Sequence, residues 1–472
     1  MSLKKSFIFS SINSYGEITI NLISSMIIAR LLSPEEIGIF SVAISLVGFA
    51  HLIRNFGIGE YLIQEKNLTR NKIRSAFTLN ISLAWILAII IFFIRGYVAD
   101  FYHEPGIAKV FEIIAINFLL IPFGANSISL LRRNMRFDQL MLINLMSALV
   151  GATTGIICAL KGMSYLSLAW AAIAGTCTTI LGALFYSPKE FTLLPGFSEI
   201  KGIIHYGSFS SINQILQHLS VTAPDIILGK LQDMYTVGIF SRAAGSLNIV
   251  LTVLVNGVRP ILMPYFAEAY RNNNQLNENY LQLLSIAILI IWPTIILTIF
   301  LAPQIIHLLY GEQWLEAVPI LQILALEGFF WPFGLFAEDM LKATGNVKKI
   351  ARIELILSPL RFILIIFAAK YGLIYVAFTA FISYSLKSLV FIFTLKTLNI
   401  SPLSQIKKII PNFFYITPMS IVLYFNSNYI EYTNDISFIV NSFIIALLAW
   451  IATLIISRNK IYLQFSKKII ES

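Results

Sequence analysis

Two stretches of the chain, SSINSYGEITINLISSMIIARLLSPEEIGIFS at residues 10–41 and SSINQILQHLSVTAPDIILGKLQDMYTVGIFS at residues 210–241, follow the same pattern. Aligned without a gap, they share their first four residues and their last four. Each is typical of an apolar helix, a short polar turn and the start of a second helix. Because unrelated apolar segments rarely share a register across two helices and a turn, we infer a duplicated helical bundle, with the second copy displaced by about 200 residues.

The composition indicates a membrane protein. Hydrophobic residues make up 57% of the chain, charged residues only 12%, and the mean hydropathy is +0.78, whereas a soluble protein carries about 25% charged residues. Apolar runs of about 20 residues recur from end to end, and each is long enough to cross a bilayer as a helix. The runs are continuous rather than alternating, which favours helices over the strands of a membrane barrel. We therefore predict an all-α polytopic membrane protein.

The predicted organisation follows the duplication. We expect about fourteen spans, arranged as two six-helix lobes and a C-terminal pair of helices. The lobes are predicted at residues 1–190 and 191–400, and the helix pair with a basic tail at residues 401–472. As parallel repeats, the lobes should be related by an axis along the membrane normal, with the substrate site at their interface.

A Pro-Phe-Gly motif occurs once in each predicted lobe, at residues 122–124 and 332–334. A proline inside a helix removes a backbone hydrogen bond, so it either kinks the helix or is accommodated by neighbouring groups. The sequence leaves both interpretations open: kinks that widen a cavity, or prolines that a membrane helix tolerates.

Basic residues predict the orientation in the membrane. Of the 34 lysines and arginines, about 24 fall in segments predicted inside and about six in segments predicted outside, so both termini are expected on the cytoplasmic side of the inner membrane. The net charge of +10 is assigned to these inner loops, and no nucleic-acid partner is expected. Lys4 and Lys5 precede a first span that lacks a small-residue cleavage site, so no cleavable signal peptide is expected.

Motifs for catalysis and metal binding are not found in the sequence. Cys158 and Cys177 lie in apolar segments, and the five histidines are scattered without the spacing of metal ligands. Neither a Walker lysine loop nor a nucleophile elbow occurs. We therefore expect no catalytic residue, no metal, no cofactor and no direct use of ATP, and we predict that the chain is not an enzyme.

Charged residues inside the predicted spans are the candidate functional groups, because a charge in the bilayer is costly and is usually retained for function. Asp225 and Arg242 occupy positions where the first copy has Ser25 and Val42. They flank one turn at similar depth and are predicted to pair. The pair either takes part in binding or is purely structural, since buried charges survive mainly when they are paired.

Further charges follow the same reasoning. Glu327 and Arg361 flank a later turn at similar depth, close to the middle of the membrane, and the structural alternative applies to them equally. Glu17 and Arg54 are predicted level with one another near the inner face, where simple solvation is the competing explanation. Lys387 is predicted to be alone within the twelfth span.

A resemblance to a known family rests on three segments. Ala29–Phe40, ARLLSPEEIGIF, resembles the first-hairpin signature of bacterial polysaccharide transporters. Residues 57–64 resemble the inner loop that follows it, and residues 225–243 resemble the counterpart of the hairpin in the second lobe. Over about residues 7–400 the chain resembles the oligosaccharide and O-antigen flippase branch of the multidrug/oligosaccharidyl-lipid/polysaccharide exporter superfamily.

This resemblance implies a substrate. It would be undecaprenyl pyrophosphate carrying a sugar repeat unit, moved from the cytoplasmic to the periplasmic leaflet by alternating access for O-antigen, capsule or exopolysaccharide synthesis, with a polysaccharide polymerase as a candidate partner. A pyrophosphate requires fixed positive charge, and arginine binds it bidentately. The candidate substrate-binding residues are Arg30, Arg54, Arg242, Arg361 and Lys387. A proton or sodium gradient is expected to drive the cycle, and the candidate coupling residues are Asp225, Glu327 and Glu17.

Two other functions remain open at this stage, because a fold alone does not determine function. A cation-coupled drug exporter of the same fold is expected to have an acidic cavity with few arginines, the reverse of this chain. A membrane-embedded glycan polymerase or ligase is expected to carry a large polar outer loop with catalytic residues, and the sequence predicts only short outer loops.

Overall fold

The computed structural model describes residues 3–256, 259–271, 276–429 and 434–456, and every regular element in these ranges is a helix. The predicted all-α class is therefore confirmed. In chain order the first helices are α1 Leu3–Leu31, α2 Pro34–Asn55, α3 Ile58–Gln64, α4 Arg70–Tyr102, α5 Pro105–Leu120, α6 Pro122–Arg133, α7 Phe137–Leu160, α8 Leu166–Phe185 and α9 Ile200–Leu231. The remaining helices are α10 Met234–Asn256, α11 Arg259–Arg271, α12 Leu276–Tyr310, α13 Ala317–Leu326, α14 Trp331–Ala343, α15 Val347–Ala369, α16 Leu373–Thr394, α17 Pro402–Tyr429 and α18 Asp435–Ile456.

The chain forms two compact units, residues 1–241 and residues 242–472. The first unit holds α1 to α9 and the first two turns of α10, and the second holds the rest of α10 and α11 to α18. The lobes predicted from the sequence repeat follow a different division, and they stay a prediction.

The helices have the length and composition of membrane spans. Within the described ranges nine helices are long and apolar enough to cross a bilayer, and the number rises to eleven when each of two bent helix pairs counts as one span. Helices α1, α9 and α15 also reach spanning length, with 29, 32 and 23 residues. These three carry Glu17, Asp225 and Arg361 respectively. The prediction of about fourteen spans remains to be tested.

The duplication is visible in the order and ends of the helices. The turn between α1 and α2 is closed by Ser33, whose hydroxyl accepts a hydrogen bond from the Glu36 amide at 3.2 Å while the Glu36 carboxylate accepts from the Ser33 amide at 2.7 Å. In the turn between α9 and α10, Asp233 accepts from the Thr236 amide at 2.8 Å. Capping side chains of this kind end one helix and start the next. The same polar position therefore sets the same turn in both copies.

Both Pro-Phe-Gly motifs lie at bends. The axes of α5 and α6 meet at 53°, with Pro122 as the first residue of α6, and the axes of α13 and α14 meet at 46°, with Pro332 as the second residue of α14. A 3₁₀ turn, Glu327–Phe329, precedes the second bend. Proline lacks the amide hydrogen that would continue the helix, so the backbone turns at each motif. Of the two interpretations left open by the sequence, the structure shows the kinks.

The short helices α3 and α11 were not predicted from the sequence. Each follows the second helix of its repeat, where only an inner loop was predicted. The end of α3 is held by Arg133, whose guanidinium donates to the carbonyl oxygens of Leu62 and Ile63 at 2.9 Å each. This arginine therefore satisfies backbone groups that the end of a helix leaves without partners.

The C-terminal helix pair is present in the second unit as α17 and α18, and both helices pack on α12. Buried polar contacts join them: the Tyr280 hydroxyl lies 3.4 Å from Gln405 Oε1, and Asn426 donates to Ser442 at 2.7 Å. A hydrogen bond between Nδ1 of His307, near the end of α12, and the carboxylate of Asp435, at the start of α18, adds a third link.

Candidate functional site

The two copies of the duplicated turn lie in direct backbone contact within the first unit. A Cβ atom added at Gly38 would overlap the carbonyl group of Met234, and one added at Gly238 would overlap that of Pro34. Next to this crossing the hydroxyl oxygens of Ser41 and Ser241 are 3.0 Å apart. Glycine is thus required at both equivalent positions because any side chain would separate α2 from the start of α10.

Asp225 on α9 faces α2. The Ser45 hydroxyl donates to Asp225 Oδ2 at 3.0 Å, and Nε2 of His218 lies 3.1 Å from the Ser45 carbonyl oxygen. The His218 ring packs edge-on against Phe49, with 4.8 Å between the ring centroids. The sequence singled out Asp225 but neither Ser45 nor His218, because a hydroxyl and a lone histidine on different helices give no local signal. The pairing of Asp225 with Arg242 joins residues of different units, and it stays a prediction.

A cavity of about 380 Å³ lies inside the first unit, between α2, α3, α4, α6 and α8. Two arginines and one carboxylate supply its charges: Arg54 at the end of α2, Arg132 at the end of α6, and Glu60 on α3. The Arg54 guanidinium donates to the Asn55 side chain at 2.5 Å. The polar residues that complete the lining are Asn55, Asn80, Ser129, Thr176 and Thr179, and the first bend contributes Ile121, Gly124 and Ala125.

The structure thus adds Arg132 to the predicted Arg54. In the sequence, Arg132 counted only as one of the basic residues expected on the inner side, not as a candidate for binding. With two positive charges against one negative charge and a lining rich in amides and hydroxyls, this cavity favours an anion.

Arg242 is held by aromatic rings in the second unit. Its guanidinium carbon is 5.4 Å from the centroid of the Tyr310 ring and 5.6 Å from that of the Trp314 ring. Ser246 contacts both Arg242 and Tyr310. Its hydroxyl donates to the Arg242 carbonyl oxygen at 2.9 Å and lies 3.3 Å from the Tyr310 hydroxyl. Tyr310 and Trp314 are both almost fully buried. Stacking of this kind fixes the orientation of an arginine and offsets part of its desolvation.

Glu327 and Arg361 are brought within electrostatic reach of each other in the second unit. Glu327 begins the 3₁₀ turn at the second bend and is hydrogen-bonded by the side chain of Trp331. Arg361 lies on α15, and it interacts electrostatically with Glu354 as well as with Glu327.

The prediction that Lys387 is alone is wrong. Its ammonium group forms an ion pair with Glu354 of the neighbouring helix α15, and the Ser358 hydroxyl donates to the other oxygen of that carboxylate at 3.1 Å. Helix α15 begins at Val347. Glu354 is therefore two turns inside the helix, where its charge requires a partner.

The remaining candidates are not gathered into these clusters. Arg30 is exposed in the last turn of α1, and Glu17 is half-buried midway along the same helix. In the part of the chain that the structure describes, no three histidine, cysteine, aspartate or glutamate side chains gather as metal ligands.

Comparisons with known proteins agree with this architecture. A family model described as polysaccharide biosynthesis protein matches residues 27–319. The lipopolysaccharide biosynthesis protein WzxC of Escherichia coli (strain K12) is 22% identical over 361 residues, covering 74% of this chain and 72% of that protein.

Two solved structures share the fold. The lipid II flippase MurJ in an inward closed conformation matches with a TM-score of 0.77 at 18% identity, covering 96% of this chain and 99% of that one. A multidrug resistance MATE family transporter of the MOP superfamily in an inward-facing conformation matches with a TM-score of 0.65 at 16% identity, covering 83% and 97%. Because the family model spans more than half of the sequence, this multi-pass membrane protein belongs to the polysaccharide biosynthesis protein family.

Proposed function

We propose that the chain is a flippase that moves undecaprenyl-pyrophosphate-linked oligosaccharide repeat units from the cytoplasmic to the periplasmic leaflet. Family membership and the relation to WzxC support a role in surface polysaccharide synthesis. The fold shared with a lipid flippase supports movement of a lipid-linked substrate. The lipid tail remains in the bilayer during transfer, so the protein has to shelter only the pyrophosphate and the sugars.

The basic cavity of the first unit is the observation that carries the proposal. A pyrophosphate leaving water for a membrane protein needs compensating positive charge, which Arg54 and Arg132 supply. Amide and hydroxyl groups on the same wall are suited to sugar hydroxyls. In the second unit, Arg361 and Lys387 are the additional basic groups assigned to the pyrophosphate.

The proposed cycle is alternating access. The close backbone contact at Gly38 and Gly238 is assigned as the closed end of the transport path, which would have to open for release. Both termini are assigned to the cytoplasmic side of the inner membrane, and a proton or sodium gradient is assigned as the driving force, with Asp225, Glu327 and Glu17 as the coupling groups. A polysaccharide polymerase would receive the transferred unit.

The competing proposal is a cation-coupled drug exporter, which the fold permits. A cationic drug requires acidic groups in its cavity. Glu60 is the one acidic residue among the lining of the described cavity, and it is outnumbered by two arginines. The charge of this cavity therefore favours the flippase.

The proposal is tested with purified protein in vesicles that contain a fluorescent polyprenyl-pyrophosphate-linked glycan. Loss of one charged contact to the pyrophosphate costs about 1.5–3 kcal/mol, so Arg54→Gln and Arg132→Gln should each lower the rate of transfer roughly tenfold to a hundredfold. Arg136→Gln is the matched control, because Arg136 is exposed beside Asp138 outside the cavity. Wild-type vesicles that transfer a cationic drug but not the glycan lipid would support the exporter instead.

A further inference from the structure

Four charged residues of the second unit form a network whose charges cancel. Glu354 pairs with Lys387, Glu327 interacts with Arg361, and Arg361 also interacts with Glu354. The residues come from the second bend and from α15 and α16. Two acids thus balance two bases within one group of adjacent helices.

An anionic headgroup cannot simply add to such a network. Uncompensated charge in the low-dielectric interior of a membrane protein is strongly unfavourable, so an arriving phosphate needs a base whose own carboxylate gives way. Resting on the proposed function, we propose that Glu354 is the resident counter-ion of Lys387, holding the place of a substrate phosphate while the site is empty and yielding it when the pyrophosphate binds.

Accessibility favours Lys387 as the base that changes partner. Its side chain is 24% exposed, whereas that of Glu354 is 7% exposed. A lysine ammonium group has three donors on a flexible stem, so it turns from one oxygen acceptor to another without moving its helix. The buried Nε of Arg361 has no hydrogen-bond acceptor among the described residues, and it provides a second donor for the same headgroup.

Of the two carboxylates in this network, Glu354 is the one that can more easily lose its basic partner. Ser358, one turn along α15, donates to its second oxygen at 3.1 Å and keeps that hydrogen bond when the lysine leaves. Glu327 is more constrained, because it sits in the turn at the bend and is held by Trp331. Return of Glu354 to Lys387 would then expel the pyrophosphate and speed its release.

Binding to the full-length protein in detergent tests the exchange, with inorganic pyrophosphate and soluble farnesyl pyrophosphate as probes. Glu354→Gln keeps the shape and the Ser358 contact but removes the competing charge, so the dissociation constant for farnesyl pyrophosphate should fall about tenfold, or roughly 1.4 kcal/mol. Glycan-lipid transfer in vesicles should become slower in the same variant, because release loses its counter-ion. Lys387→Gln should weaken binding, and the double variant should bind as weakly as Lys387→Gln.

The matched control is Glu338→Gln, which removes a carboxylate paired with Lys342 at 2.6 Å on α14 and should leave binding and transfer unchanged. Thermal unfolding of each variant identifies loss of fold. A folded Glu354→Gln protein that binds no more tightly than wild type, or a double variant that binds like wild type, overturns the exchange while leaving the flippase proposal intact. Wild-type protein that neither binds pyrophosphate nor transfers the glycan lipid overturns the proposed function itself, and failure of Glu354→Gln to bind either probe then also overturns the exchange.

Discussion

At the scale of single residues, several of the charges inside the helices have a specific partner on another helix. Asp225 is a case in point, since the sequence identified the charge but not the Ser45 hydroxyl that satisfies it. Ser45 is buried, so water should not replace the hydrogen bond to Asp225 that Ser45→Ala removes. We expect a loss of about 1–3 kcal/mol in the free energy of unfolding, measured by thermal unfolding in detergent.

A hydroxyl that bonds within its own helix is the control for this change. Ser420 donates to the Ile416 carbonyl one turn earlier on α17, and Ser420→Ala should have little effect. If Ser45→Ala and Ser420→Ala lower the free energy of unfolding equally, the hydrogen bond from Ser45 to Asp225 makes no specific contribution to stability. Ser45 and Glu354 escape prediction for a common reason: each lies on a different helix from its charged partner, and helix periodicity shows which face a residue occupies but not what that face meets.

At the scale of helices, the crossing of α2 with the start of α10 depends on two glycines. Alanine at Gly38 or Gly238 would overlap the opposing carbonyl group, so Gly38→Ala and Gly238→Ala should each destabilise the closed contact by about 1–3 kcal/mol. Cysteine placed at Ser241 should become more reactive toward a maleimide in either variant, because the helices move apart. Gly245→Ala on the same helix is the control, since a Cβ there meets nothing within 4 Å.

Unchanged reactivity at position 241 in the Gly38→Ala and Gly238→Ala variants would show that the helices tolerate the extra methyl group. The turn was predictable, because the duplicated segments align without a gap, but the contact between the two glycines was not, since it depends on how α2 and α10 cross. The bends at Pro122 and Pro332 were predictable only as one of two outcomes, since a proline can also be accommodated without a kink. The short helices α3 and α11 were missed because each begins only a few residues after the preceding helix, α2 or α10, and has no separate apolar run.

At the scale of the whole molecule, hydropathy and the repeat were sufficient to predict an all-helical membrane protein, because burial in lipid leaves few other folds for such a sequence. The cavity and the ion pairs were not predictable in detail, since each depends on packing between helices far apart in the chain. The orientation in the membrane depends on the charge of the loops rather than on packing, so the sequence predicts it. It remains a prediction until it is measured.

Cysteine labelling on intact cells tests that orientation. In a variant with Cys158 and Cys177 replaced by alanine, a single cysteine at His103, exposed after α4, should react with a membrane-impermeant maleimide. A single cysteine at Asn67, exposed before α4, should react only after the cells are opened. The reason is that α4 separates the two positions by a 33-residue helix, and the lysines and arginines beside Asn67 should hold that end inside. Labelling of Asn67→Cys in intact cells, with His103→Cys protected, would place the start of α4 outside and contradict the predicted orientation.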